Sequence, residues 1–435
     1  MGESICADTR EATMVQYRDV RGRTERLCAP LHIEDFGVQS MPDASPTKWH
    51  LAHTSWFFET FLLQPFASGY ETFHPQFNYL FNSYYNQVGP RLSRPERGLL
   101  SRPTVREVFQ YRAWVDAQIQ RLSEASERLW QQIQPRLVLG LHHEQQHQEL
   151  LLTDIKHVFA CNPLRPRYKI TPKGIDAPGS LEPSASIAPL RWHDFPAGLS
   201  WIGQSAQGFA FDNEQPRHRV FLEGYQLADR LTTCGEYLSF IEDHGYDRPE
   251  LWLSDGWAAR SRAGWQAPLY WEKRDGQWQH MTLSGMRPVC PAEPVAHVSY
   301  YEADAFARWA GCRLPTETEW ERSAAEVSIA GNFVENDVLH PVPWTGLSEA
   351  GQPAQLFGDV WEWTASPYTA YPGFQRAADA LGEYNGKFMC NQFVLRGGSC
   401  VSPMNHIRAT YRNFFPPETR WQFSGIRLAR DLSTT

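Results

Sequence analysis

Six prolines fall between Pro163 and Pro189 (Pro163, Pro166, Pro172, Pro178, Pro183 and Pro189). Proline removes a backbone donor and fixes φ, so a stretch this dense builds neither a helix interior nor a central strand. It reads as an extended connector. The chain therefore has to fold as two bodies, and 435 residues give each enough length to bury a core. The expected division is a helical domain over 1–162, the connector over 163–190 and a second domain over 191–435.

The two sides of the connector follow different patterns. Before it, Thr104-Val-Arg-Glu107 is a capping box, followed by Val105, Val108, Phe109, Ala113, Val115, Ile119 and Leu122 at helical spacing. A second long helix is expected to start near Pro135. An earlier one follows Pro46-Thr47 and runs through Trp49, Ala52, Trp56 and Phe57 to about Leu62. With a further helix around Met14–Ala29, the simplest arrangement is an antiparallel four-helix bundle. After the connector come short aromatic segments between Gly, Pro and Asp turns, with brief helices near Gly235–His244 and Tyr301–Ala310. The fold class expected is α+β. The 30 Gly and 31 Pro are more turn formers than a plain helical repeat protein needs, so at least half of the chain is expected to be loop-rich.

Charge narrows the partners. The formal charge of −8 has no like-charge block behind it, which argues against nucleic acid or an anionic membrane held by bulk electrostatics. The eight cysteines (Cys6, Cys28, Cys161, Cys234, Cys290, Cys312, Cys390 and Cys400) are scattered and include no C-x-x-C pair, as expected for cytoplasmic thiols. The charged N-terminus and the lack of a long apolar run give the same expectation of a cytoplasmic chain without a membrane span.

The sharpest chemical signal is Leu141-His142-His143-Glu144-Gln145-Gln146-His147. His143 and His147 stand one helical turn apart on one face, the spacing two imidazoles need to share a metal ion. His53 lies on the same face as Trp49, Trp56 and Phe57, so an inward imidazole on a second helix can complete a three-histidine site. The ordinary alternatives are a chance pair on a solvated face and a satisfied core histidine. The same residues also match the H-E-x-x-H zinc-protease pattern, in which the Glu is the general base. No metzincin-type third ligand follows it. Imidazole suits Zn, Fe, Cu or Ni, so ligand type alone does not choose the metal.

Taken together, Trp49-His-Leu-Ala-His53, Asn82-Ser-Tyr-Tyr-Asn86 and His143-Glu-Gln-Gln-His147-Gln-Glu resemble the DinB-like metal-binding domain of the ergothioneine-biosynthetic sulfoxide synthases. The second half resembles their other domain, which has the formylglycine-generating-enzyme-like (C-type-lectin-like) fold. Its motifs are Phe211-Asp-Asn-Glu214, Glu293-Pro-Val-Ala-His-Val-Ser299, Trp309-Ala-Gly-Cys-Arg-Leu-Pro-Thr-Glu317, Gly358-Asp-Val-Trp-Glu-Trp363, Leu395-Arg-Gly-Gly-Ser399 and Phe423-Ser-Gly-Ile-Arg427. The resemblance implies a non-haem Fe(II) enzyme that uses O2 to join a thiol sulfur to the imidazole of hercynine (Nα-trimethylhistidine) as a sulfoxide. Its metal ligands would be His53, His143 and His147.

The resemblance also implies roles for other residues. Gln146 would orient the hercynine imidazole. Asn413, Phe414 and Phe415 would line the hercynine pocket, the aromatic faces meeting its trimethylammonium. Relatives that use γ-glutamylcysteine carry an acid where this chain has Phe415, so the expected donor is L-cysteine, with γ-glutamylcysteine as the alternative. Arg91, Arg94 and Arg97 could pair with the donor carboxylate. One of Tyr84 and Tyr85, adjacent and expected to point different ways, would donate a proton near the metal; Tyr368 and Tyr371 are weaker rivals. The expected small-molecule partners are hercynine, L-cysteine and O2, with homo-oligomer formation left open.

Three other functions compete. A formylglycine-generating activity needs a cysteine pair after Arg396-Gly-Gly-Ser399, where only Cys400 stands. An ovothiol-type synthase would act on unmethylated histidine. A non-catalytic protein would keep the bundle as a thiol- or metal-binding module and the second domain as a lectin-like binding surface; the intact His53, His143 and His147 argue against it.

Overall fold

In a computed structural model, residues 2–169, 189–205, 208–344, 352–378 and 380–432 are described. Most of the connector expected at 163–190 lies outside these residues. The chain forms two compact units, one of Met1–Pro163 with Ala377–Tyr384 and one of Leu164–Arg376 with Asn385–Thr435. A short piece of the C-terminal half thus belongs to the helical unit.

The first unit is built on four long helices: α1 (Gly2–Cys28), α2 (Thr47–Phe58), α3 (Val105–Leu122) and α4 (Glu127–Cys161). The capping box before α3 is present, with the Thr104 hydroxyl accepting from Glu107 N and the Glu107 carboxylate accepting from Thr104 N. Helix α4 begins at Glu127, two turns before the expected start, because Pro135 is exposed and water can satisfy the carbonyl its missing N–H leaves behind. Helix α2 ends at Phe58 and passes into a π-helical turn at Glu59–Leu63, so the continuous α-helix expected to Leu62 is broken. Glu59 anchors that turn by accepting from Tyr111 Oη at 2.6 Å and Phe73 N at 3.2 Å.

Every residue of α2 is buried, although the helix contains Lys48, His50, His53, Thr54 and Ser55. Polar groups in such a helix must find partners inside the protein. Thr54 and Ser55 find them in one ion network. Glu144 of α4 accepts from Arg21 of α1 at 2.8 Å and Arg112 of α3 at 3.0 Å. The same two arginines donate to Ser55 and Thr54 of α2, each at 3.0 Å. All four helices are joined at one buried point.

The second unit has twelve short strands among the described residues: β1 (Trp192–Phe195), β2 (Gly198–Ile202), β3 (His218–Leu222), β4 (Tyr225–Ala228), β5 (Trp271–Arg274), β6 (Gln277–Thr282), β7 (Gly285–Pro288), β8 (Trp361–Pro367), β9 (Phe393–Arg396), β10 (Asn413–Phe415), β11 (Ser424–Gly425) and β12 (Ala429–Asp431). They form sheets ordered β1-β4-β12, β10-β9-β8-β11, β2-β3 and β5-β6-β7. The expected brief helices occur at Cys234–Glu242 and Tyr300–Trp309. Two more, Ser254–Ala263 and Glu317–Ala324, were not expected; the second follows a Thr316-x-x-Glu319 capping box visible in the sequence.

Ion pairs explain the motifs of this unit. Glu362 on β8 accepts from Arg427 at 2.8 Å and from Trp320 Nε1 at 2.7 Å. Glu317 accepts from Arg396 and Arg412, each at 2.9 Å. At Gly358 (φ +80°) a Cβ would sit 2.4 Å from the Asn332 carbonyl oxygen, so only glycine fits. No helix among the described residues is long and apolar enough to cross a membrane.

Candidate metal centre

The first unit brings the three expected histidines together. Helix α2 presents His53 and α4 presents His143 and His147, with ring centroids 4.9, 4.6 and 4.7 Å apart. Each offers a nitrogen within 4.8 Å of the others. His53 Nε2 and His143 Nε2 face each other at 3.2 Å. His53 Nδ1 donates to the Phe81 carbonyl at 2.6 Å, so its Nε2 carries the inward lone pair. His143 Nδ1 is buried with no hydrogen-bond partner among the described residues.

Burial sets the protonation. It pushes His143 down to about 3, and lowers His53 and His147 well below the usual imidazole value, with the neighbouring imidazoles adding to both. Three neutral imidazoles converging on one point suit a borderline first-row divalent ion. The residues fit the iron that the resemblance implies.

Aromatic rings hold the donors in place. His53 lies between Trp49 (4.5 Å, 13°) and Trp56 (5.3 Å, 16°), and Phe57 lies 4.5 Å from His143. Arg97 is buried over the Trp49 ring at 3.4 Å, and its Nη1 donates to Ser45 Oγ at 2.8 Å. Arg97 therefore braces a wall of the site. Arg91 is exposed and donates to Asn86, and Arg94 makes an exposed ion pair with Asp43 at 3.8 Å.

Glu144, the glutamate of the zinc-protease pattern, is fully buried on the ion network. Burial raises its carboxyl, but Arg21 and Arg112 outweigh that and bring it down to about 2. A carboxylate so held is a poor proton acceptor, which removes the protease reading.

Tyr84 and Tyr85 do not diverge as expected. Their rings stack at 4.6 Å and 28°, and their hydroxyls lie 3.5 Å apart. The cause is a local turn in which Asn82 Oδ1 accepts from Tyr85 N and Asn82 Nδ2 donates to the Tyr85 carbonyl, both at 3.0 Å. Tyr85 is fully buried, which raises its pKa well above the usual value.

Sequence reading missed Tyr384. It belongs to the Ala377–Tyr384 segment of this unit, its ring lies 5.7 Å from His143, and its hydroxyl donates to Gln146 Oε1. Glu383 fixes the segment by accepting from Asn86 N at 3.0 Å and Gln87 N at 2.9 Å. No helical or strand periodicity marks so short a piece. Its one signal was a phenol beside an acid, Glu383-Tyr384.

In the second unit, Asn413, Phe414 and Phe415 form β10 beside β9. Phe414 stacks on Tyr368 at 4.0 Å and 10°, and Phe415 meets Trp421 at 6.0 Å. Tyr368 accepts from Asn213 Nδ2 at 2.9 Å, and Tyr371 accepts from Arg396 at 3.1 Å, which accounts for both phenols structurally.

Residues 196–348 and 336–432 match the family model described as the sulfatase-modifying factor enzyme 1-like domain. The chain is 32% identical to the hercynine oxygenase of Mycolicibacterium thermoresistibile, covering 96% of this chain and 94% of that one. It is also 32% identical to the hercynine oxygenase of Mycolicibacterium smegmatis, covering 97% and 99%. A formylglycine-generating enzyme of Bos taurus is 25% identical over 60% of this chain and 80% of its own length. Similarity at this level over essentially the full length of both chains shows that the protein belongs to the hercynine oxygenase family.

Proposed function

We propose that the chain is an Fe(II)- and O2-dependent sulfoxide synthase that joins the sulfur of L-cysteine to the imidazole of hercynine in ergothioneine biosynthesis. The observation that supports this most is the neutral triad of buried His53 and His143 with half-buried His147, in a chain 32% identical along nearly its whole length to hercynine oxygenases. The reaction closes without a further reductant. The thiol and the imidazole C–H together lose four electrons as the C–S and S–O bonds form, and O2 takes them, giving the sulfoxide and one water. Iron(II) on three imidazoles would supply the one-electron chemistry and gather thiolate, imidazole and O2 at one ion.

The protein's own residues bind, orient and protonate. Tyr384 engages the carbonyl end of Gln146, so the amide end is the donor aimed at a substrate imidazole nitrogen. Tyr84 is proposed as the proton donor: its hydroxyl is backed by that of Tyr85, which burial keeps protonated. Trp49, Trp56 and Phe57 keep water from the reacting groups. Asn413 and Phe414 are proposed to bind the hercynine carboxylate and trimethylammonium. Phe415 offers no carboxylate, which favours cysteine over a dipeptide, with Arg91 and Arg94 as the cationic groups for the donor.

The test is aerobic incubation of the Fe(II)-loaded protein with hercynine and either L-cysteine or γ-glutamylcysteine, with products identified by mass. The expected product is hercynylcysteine sulfoxide from cysteine, formed faster than the heavier γ-glutamyl adduct from the dipeptide. No adduct with either donor refutes the reading, and preference for the dipeptide refutes the donor assignment.

A further inference from the structure

We propose that His280, Glu293 and His340 of the second unit form a separate metal site, taking a divalent first-row ion of the zinc type in a structural role. Their ligand atoms all lie within 4.8 Å of one another. The three come from β6, from the loop after β7 and from the loop before β8. All are buried: His280 is 6% exposed, Glu293 6% and His340 8%. Two imidazoles and one carboxylate from distant segments are the donor set that such ions take up.

The geometry is arranged around the carboxylate. His340 Nε2 lies 3.1 Å from Glu293 Oε2, and the rings of His280 and His340 stand 5.1 Å apart at 88°. Arg287, directly opposite His280 in the β6–β7 register, donates from Nη2 to both Glu293 oxygens at 2.8 Å. A guanidinium on one side of a carboxylate leaves each oxygen a further lone pair, and ligating carboxylates are commonly oriented by such outer partners.

The backbone holds each ligand in place. The Glu293 carbonyl accepts from Cys234 N at 2.7 Å, at the start of the Cys234–Glu242 helix. The His340 carbonyl accepts from Asn332 Nδ2 at 2.8 Å. Leu339, just before His340, has φ +55°, a conformation rarely taken by leucine and one that persists only where surroundings impose it. A bound ion would fasten the β5-β6-β7 sheet to two loops that have little regular structure.

The alternative is a metal-free Arg287–Glu293–His340 ion pair, and stoichiometry separates the two. Full-length protein is stripped with chelator, and Zn(II) is then titrated under equilibrium dialysis with the metal counted per chain. Two ions are expected for the natural chain, one for His53→Ala/His143→Ala and one for His280→Asn/His340→Asn. The natural chain and the bundle variant keep the test meaningful even if the His280/His340 variant fails to fold. A bundle variant that binds no ion overturns the proposal. Second-ion binding that survives His280→Asn/His340→Asn also overturns it, assigning that ion to exposed thiols such as Cys161 or Cys390. Because the bundle variant lacks the first site, this result is independent of the proposed catalytic function.

Discussion

His50 Nδ1 lies 2.9 Å from His147 Nδ1. On its other side, His50 Nε2 lies 3.1 Å from Asp154 Oδ2, which also accepts from Ser45 N at 2.8 Å. A carboxylate can only accept, so His50 donates from Nε2 and accepts at Nδ1. His147 must then carry its proton on Nδ1, which leaves the Nε2 lone pair for the metal. The chain Asp154–His50–His147 therefore sets the tautomer of one ligand, as the Phe81 carbonyl does for His53. Replacing His50 by Phe, or Asp154 by Ala, is expected to weaken metal binding roughly 10–100-fold. Equilibrium dialysis of the stripped protein measures this without reference to turnover; unchanged affinity in both variants would sink the assignment.

The tyrosines should separate by kinetic effect. Tyr84→Phe removes the proposed proton donor and is expected to lower sulfoxide formation about 100-fold or more, with little change in KM for hercynine. Tyr384→Phe removes the hydrogen bond to Gln146 and is expected mainly to raise KM for hercynine, as Gln146→Ala would more strongly. Product mass and initial rates across a hercynine series check both. Unchanged yield in a Tyr84→Phe/Tyr85→Phe double variant would refute a proton-donating role for the pair.

The three-histidine cluster was legible because helical periodicity puts His143 and His147 on one face, and because His53 stands among Trp49, Trp56 and Phe57. Other parts of the site were hidden for physical reasons. His50 lies three residues before His53 in a helix buried on all sides, and amphipathic reasoning gives no preference among faces when every face is inside. Tyr384 arrives from the far part of the chain just after a 3-10 turn at Ala380–Glu383, a long-range contact no local pattern encodes. The Tyr84–Tyr85 stack comes from side chain to backbone bonds of Asn82, which override the alternation expected of neighbouring residues. In the second half the motifs were readable but their roles were not, since Arg396 and Glu317 are far apart in sequence and meet only in the fold.

Acid should act on the bundle through Glu144. Its folded-state pKa, about 2, lies below the ordinary 4.5, so its stabilisation is complete above 4.5 and is lost as pH falls toward 2. The shift corresponds to roughly 3 kcal/mol. Glu144→Gln removes the buried carboxylate that Arg21 and Arg112 share, leaving them only Asp116 and Glu25 at the edge of the network, and is expected to cost about 1.5–3 kcal/mol at neutral pH. It should also flatten the decline between pH 4.5 and 2. Urea unfolding across that range, followed by helical circular dichroism, checks both; an unaltered acid limb would locate the sensitive carboxylate elsewhere.

Gly140 controls how closely the ligand-bearing helices approach. It sits one turn before His143 on α4, and a Cβ there would lie 2.4 Å from Phe58 Cε1 at the end of α2. Phe58 is fully buried and packs edge-on against Tyr17 at 5.3 Å, so it cannot swing away cheaply. Gly140→Ala gains helix propensity worth about 1 kcal/mol, which in an exposed helix would raise stability. Here overpacking opposes it at about 1–3 kcal/mol, and the net expectation is a lower melting temperature. Any relief by parting α2 from α4 also widens the 3.2 Å approach of His53 to His143, so metal affinity should fall with stability. Gly140→Ala paired with Phe58→Leu relieves the clash by shortening the side chain that meets it. Recovery of metal affinity in the pair, measured against each single variant, would identify helix approach as the cause; a loss that the second change leaves in place would assign it to something other than this contact.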